Sequence, residues 1–83
     1  MGGEMNLETI VRTIVRRVLE EIYSCNRPYA IISTKEIKRI VAMYDSALAR
    51  NSNMYHVYKK IIAQLKTIFR IVEEDGAWII VAP

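Results

Sequence analysis

Three separate stretches of this chain carry apolar residues at the three- and four-residue spacing of an amphipathic α-helix, and short β-favouring runs stand between and after them. The first stretch has the longest apolar stripe, which consists of Leu7, Ile10, Val11, Ile14, Val15, Val18, Leu19 and Ile22. Charged residues occupy the positions between, so the pattern predicts a helix over residues 7–24 with one buried face. Asn6 suits its N-cap, and Asn26 and Pro28 mark its end.

A short strand and a second helix are predicted after Pro28. Residues 29–32 favour β-structure and are too few for a helix. The next four residues match the S-x-x-E capping box, in which Ser33 and Glu36 each satisfy a free backbone donor at a helix start. The stripe of this helix is expected to consist of Ile37, Ile40, Val41, Tyr44 and Leu48. The helix is expected to end at a position between Tyr44 and Arg50. Residues 45–47 suit either its last turn or a loop.

A third helix and a hairpin are predicted to complete the chain. Ser52 or Asn53 serves as the N-cap of the helix, and its stripe consists of Met54, Val57, Tyr58, Ile61, Ile62, Leu65, Ile68 and Phe69. Two β-favouring runs over residues 71–81 meet at Asp75 and Gly76, a pair that supplies the positive φ angles of a tight turn. The C-terminal end is therefore expected to form a β-hairpin.

The order helix, short strand, helix, helix, hairpin resembles that of the winged helix-turn-helix DNA-binding family, over nearly the whole chain. The expected fold class is α+β, with three helices, a short strand between helices 1 and 2, and a C-terminal β-hairpin. The 83 residues fit one domain, 1–83, in which residues 1–5 form a flexible leader. The resemblance implies that helix 3 enters the major groove of double-stranded DNA.

Basic charge is concentrated in helix 3 and its flanks. Residues 46–72 contain five Lys or Arg and no Asp or Glu, whereas the whole chain is only +3, so the remainder sums to −2. The candidate DNA-binding residues are Arg50, Ser52, Asn53, Tyr55, His56, Lys59, Lys60, Ala63, Lys66, Thr67 and Arg70. Asn53, Tyr55 and His56 lie near the helix start, where base reading is expected, and the small Ala63 permits close approach. The alternative is an ordinary solvated face, with Asn53 only a cap.

The hairpin differs from a DNA-binding wing, because its turn contains the acidic residues Glu73, Glu74 and Asp75 instead of Arg or Lys. We expect this tip to point away from phosphates or to contact a protein. Trp78 and Ile80 face one side of the hairpin, and Ile79 and Val81 face the other. Either the hairpin is sandwiched, or an apolar patch binds a second subunit, which predicts a homodimer.

The sequence therefore supports two candidate functions. The first is a DNA-binding transcriptional regulator, and the rival is a winged-helix interaction domain or accessory subunit of a multi-protein complex that uses the hairpin. Arg12, Arg16 and Arg17 on helix 1 are interpreted as solvated ion pairs, since Glu20 and Glu21 follow two of them by four residues. Contacts to the DNA backbone or a dimer interface are the alternatives for this patch.

Other classes of protein receive little support from the sequence. One His and one Cys cannot form a zinc site, and no phosphate-binding loop occurs, so neither an enzyme nor a cofactor is expected. Cys25 is the only cysteine, which favours a cytoplasmic location without an intrachain disulfide. Every apolar run is shorter than 18 residues, so no membrane-spanning segment is predicted.

Overall fold

The first apolar stripe forms α1, Leu7–Cys25, in the computed structural model, which describes residues 7–50 and 54–83. The predicted leader and the Asn6 cap lie outside these residues. Ile10, Ile14 and Val18 are fully buried, whereas Leu19 is 42% exposed, contrary to its expected place in the buried stripe. At 100° per residue the predicted stripe spans about half of the helix circumference, and Leu19 lies at the edge farthest from Ile10, Ile14 and Val18.

The end of α1 matches the predicted exit. Asn26 has a φ of 54°, in the left-handed region, and the Arg27 amide donates to the Ile22 carbonyl over 3.3 Å. This pairing across six residues is the Schellman ending, in which Asn is tolerated after the last helical residue. The chain thereby turns from α1 into β1, Tyr29–Ser33.

The helix that follows, α2, spans Thr34–Tyr44 and has one half of the predicted capping box. Ser33 Oγ accepts from the Glu36 amide over 3.1 Å, as expected. The Glu36 carboxylate does not reciprocate, because Arg17 of α1 donates to it from Nε over 2.6 Å. Ser33 is itself the last residue of a paired strand, and Glu36 instead joins α1 to α2.

A short extra helix, α3, spans Ser46–Arg50, so the described residues contain four helices and the expectation of three is wrong. Asp45 separates α2 from α3 with a φ of −156° and a ψ of 86°. Its Oδ1 accepts from the Leu48 amide over 3.0 Å, which is the hydrogen bond of an N-cap. Asp45 therefore ends α2 through its backbone amide, which donates to the Val41 carbonyl, and begins α3 through its side chain.

The last helix, α4, spans Met54–Leu65 and ends one turn before the predicted Phe69. The Thr67 hydroxyl donates to the Gln64 carbonyl over 2.6 Å, and the Ile68 amide donates to the Leu65 carbonyl over 2.9 Å. These short-range bonds tighten the chain into a turn. Ile68 is consequently exposed, against the prediction, while Phe69 is buried.

The C-terminal hairpin consists of β2, Arg70–Glu74, and β3, Ala77–Val81, and it completes a three-stranded antiparallel sheet in the order β1-β3-β2. Gly76 has a φ of 77°, whereas Asp75 does not adopt the positive φ that was expected of both turn residues. The Gly76 carbonyl accepts from the Thr34 amide over 3.0 Å, which ties the turn to the start of α2.

One face of the sheet packs on the helices and the other face is open. Trp78 and Ile80 of β3 are buried in the core. Ile79 pairs directly with Ile31 and with Val72, which are 46% and 47% exposed, and residues paired across an antiparallel sheet share one face. Of the two expectations for the hairpin, the apolar patch is present and the sandwich is not, within the described residues. The architecture is α+β.

Candidate nucleic-acid interface

The predicted binding helix is α4, and its apolar side is anchored in the core. Val57, Ile61 and Leu65 are buried. The opposite side is exposed and carries Tyr55, His56, Lys59, Lys60, Ala63 and Gln64. Periodic burial of one stripe therefore holds the candidate side chains on a single outward surface.

This exposed surface has two adjacent rows. Tyr55, Lys59 and Ala63 line a groove of about 590 Å³ between α4 and the hairpin. His56 and Lys60 do not line this groove. At about 100° per residue, His56 lies about 60° around the helix from Lys59, and Lys60 lies about 60° from Ala63, both on the outward side. The outer row is therefore presented to solvent without a neighbouring wall.

Three side chains form the floor of the groove and hold α4 against the sheet. The rings of Tyr58 and Trp78 meet edge to face, with centroids 5.7 Å apart, and Ile62 lies beside them. The Tyr58 hydroxyl donates to the Thr34 carbonyl over 3.3 Å. Burial raises the pKa of Tyr58, so the hydroxyl stays protonated as a donor. These contacts fix α4 relative to the hairpin.

The acidic turn forms the second wall of the same groove. Glu73, Glu74 and Asp75 line it opposite Lys59 and Lys66. The turn was expected to point away from phosphates, but it borders the inner row of the basic helix. An anion bound along the groove would therefore meet carboxylates as well as lysines.

The basic side chains of α4 form no salt bridge with the acidic wall within the described residues. The salt bridges among residues 7–50 and 54–83 join Arg12, Arg17 and Arg27 to Glu8, Glu21 and Glu36 and include no lysine. The Lys59 ammonium lies 5.2 Å from the centre of the Tyr55 ring, a cation–π contact. Lys59 thus contacts a neutral ring and forms no salt bridge with a described carboxylate.

Several predicted site residues lie away from the α4 surface. Lys66 and Thr67 are exposed in the turn after α4, and Lys66 still lines the groove. Arg70 pairs with Val81, so it belongs to the open face of the sheet and not to the α4 surface. Arg50 is exposed at the last position of α3. Ser52 and Asn53 lie outside the described residues.

Sequence reasoning missed the groove itself. Its floor combines Tyr58 and Ile62 of α4 with Trp78 of β3, residues that were assigned only to buried stripes. The available signal was the hairpin register: Glu73 pairs with Trp78 and so lies on the side of the hairpin that faces the helices. The hairpin register and the apolar stripe of α4 together place Glu73 beside the basic helix.

Other kinds of site receive no support within the part of the chain that the structure describes. No group of three or more His, Cys, Asp or Glu residues is placed to hold a metal ion there. None of the described helices is both long and apolar enough to cross a membrane. No family model, curated protein or solved structure is similar enough to this chain to count as a match.

Proposed function

We propose that this chain is a winged-helix protein that binds double-stranded DNA through α4 and acts as a cytoplasmic transcriptional regulator, working as a homodimer. Support comes from the order of the elements and from the antiparallel sheet that follows α4. The observation that carries the proposal is the exposed surface of α4, where Lys60 of the outer row and Lys59 of the inner row form no salt bridge among the described residues.

The dimensions of α4 suit this role. Its 12 residues make a rod about 18 Å long, and the major groove, about 12 Å wide, admits one helix. Ala63 is exposed in the last turn of α4, and its small side chain would allow the helix backbone to approach the base edges. In this arrangement His56 and Lys60 face the bases or phosphates directly, while Lys59 meets a phosphate at the edge of the groove.

The proposal is tested by fluorescence anisotropy of a labelled random duplex at low and high salt. Lys59→Glu combined with Lys60→Glu should weaken binding at least tenfold, and wild-type affinity should fall with added salt because bound phosphates release counterions. Lys60→Glu alone is matched by Arg70→Glu, which makes the same charge change on the open sheet face. Equal affinities of wild type and the double variant would refute DNA binding through α4.

The rival function is a protein-interaction or accessory subunit, and two observations favour it. The row formed by Ile31, Ile79 and Val72 is apolar and uncovered, and the acidic turn lies beside the inner row of the proposed DNA-binding helix. Such a subunit would give no salt-sensitive shift with duplex DNA. The same anisotropy titration therefore separates the two functions.

A further inference from the structure

The outer face of α1 carries apolar side chains on the side that points away from the core. Leu19 is 42% exposed and Tyr23 is 85% exposed. At 100° per residue both lie within about 40° of Arg12 on the helix surface, and Arg16 and Glu20 follow one edge of this strip. We call these five residues the α1 outer face. Together with Val15 they line a shallow groove along the helix.

The charges of this face are incompletely paired within the chain. The predicted i,i+4 pair forms between Arg17 and Glu21, over 2.7 Å, but the equivalent pair of Arg16 and Glu20 is absent from the ion pairs of the described residues. One positive and one negative group of the same edge are therefore available to external partners. A face with both signs does not favour a uniformly anionic surface such as DNA.

We infer that the α1 outer face is the surface through which two copies of this chain pair, with the two α1 helices antiparallel. The inference takes up the homodimer proposed above and assigns its interface, and it does not require DNA binding. The argument is charge complementarity: when an edge that carries Arg16 and Glu20 meets itself in the antiparallel direction, each positive group lies opposite a negative one.

The helix spacing allows all of these contacts at once. With the two-fold axis level with residue 18, Arg16 of one copy lies level with Glu20 of the other, and the reverse pair forms by symmetry. The two Leu19 side chains are then only about 3 Å apart along the helix axis. Tyr23 lies one residue from the level of Arg12 of the other copy, within reach of a cation–π contact. Each member of the face thus acquires a partner.

The open sheet face is the competing surface, and it supplies the matched control. Ile31, in the edge strand β1, is 46% exposed, close to the 42% of Leu19. Arg70 and Glu74 also lie on this face, on the edge strand β2, so charge alone does not distinguish the two surfaces. The α1 outer face differs in presenting Tyr23, which is 85% exposed. Leu19→Glu and Ile31→Glu therefore place the same charge at two equally exposed apolar positions, and the inference predicts that only the first disrupts the dimer.

The experiment is sedimentation equilibrium of the full chain between about 5 and 500 µM, since a small helix pair is expected to bind in the micromolar range. The wild type should approach twice the 9.6 kDa of one chain, and Ile31→Glu should do the same. Leu19→Glu should remain at 9.6 kDa. Far-ultraviolet circular dichroism and thermal unfolding of each variant confirm that it is folded.

Charge reversal tests the antiparallel arrangement. Arg16→Glu alone and Glu20→Arg alone should each raise the dissociation constant about tenfold, because each places like charges opposite each other twice. An equimolar mixture of these two variants should form a heterodimer of near wild-type affinity, since every pair is then of opposite sign. A change confined to one folded chain cannot produce this rescue.

A monomeric wild type at the highest concentration, a mixture that stays monomeric, or loss of the dimer in Ile31→Glu but not in Leu19→Glu would each overturn the inference. The variant with both Lys59→Glu and Lys60→Glu should dimerise as the wild type does. Dimerisation without DNA binding would thus reject the DNA proposal alone, and DNA binding by a monomeric wild type would reject this interface alone.

Discussion

The Nε atom of Arg17 in α1 lies 2.6 Å from Oε2 of Glu36 in the first turn of α2. The two side chains are about two-thirds buried, and Arg17 also binds Glu21, four residues along its own helix. The hydrogen bonds that Arg17 donates to Glu36 and Glu21 raise the pKa of Arg17, with Glu36 contributing most, so the guanidinium is held in its charged form. This network joins three elements, since the Ile31 amide of β1 also donates to Glu21, as does Arg27 before β1.

We expect Glu36→Gln to destabilise the protein by about 1 kcal/mol, a value reduced for the partial exposure of the pair. The amide keeps a weaker hydrogen bond to Arg17 but loses the charge. Urea unfolding at pH 7 measures the difference. Glu8→Gln is the control, because its pair with Arg12 is far more exposed and should contribute close to nothing. Equal losses in the two variants would contradict a structural role for the α1–α2 pair.

Glu21 predicts a pH dependence of stability. Burial opposes its ionisation, but hydrogen bonds from the Ile31 amide, Arg17 and Arg27 outweigh burial and lower the pKa of Glu21 below its usual 4.5. The ionised group therefore stabilises the fold fully above the unfolded pKa, and this contribution is lost as pH falls through the lower folded pKa. Glu21→Gln should cost about 2 kcal/mol at pH 7.

The stability gap between wild type and Glu21→Gln should accordingly narrow below pH 4.5. Urea unfolding midpoints between pH 7 and pH 3 measure this gap. Glu8→Gln again serves as the control, with a small gap throughout the range. A gap of constant size down to pH 3 would show that the Glu21 carboxylate is not coupled to folding in this way.

Asp45 is expected to stabilise the boundary between α2 and α3. Asp45→Ala removes the hydrogen bond that Oδ1 accepts from the Leu48 amide, which should cost about 1 kcal/mol and lower the unfolding temperature by roughly 4–8 °C. Ser46→Ala changes the exposed neighbouring residue and should leave that temperature nearly unchanged. Thermal unfolding, monitored by circular dichroism, measures the unfolding temperature of both variants. A negligible shift in Asp45→Ala would contradict the capping role of Asp45.

The acidic wall of the groove predicts a gain of function under the DNA-binding proposal. Glu73→Gln removes one carboxylate that lies beside the inner row of α4, so duplex binding should strengthen about threefold at low salt. An unchanged or weaker affinity of Glu73→Gln would show that the acidic turn does not oppose DNA binding.

The positions of most helices and strands could be predicted from the sequence, because the signals for them are local. The spacing of Ile10, Ile14 and Val18 predicted α1, and Asn26 predicted its end through backbone preference alone. The hairpin turn was predicted from Gly76 in the same way. Alternation along β3 also indicated two opposite apolar faces before any partner was known.

Only the tertiary structure decided what each face and each polar group meets. Leu19 belongs by periodicity to the stripe of α1, yet it is exposed because it lies at the edge of that stripe farthest from the fully buried Ile10, Ile14 and Val18. The capping pattern could not show that Glu36 binds Arg17, 19 residues away along the chain. The acidic turn lies beside Lys59 because pairing of β3 with β1 and β2 sets the hairpin against α4. Local residue patterns determine backbone conformation, whereas contacts between distant segments depend on how the helices and the sheet pack together.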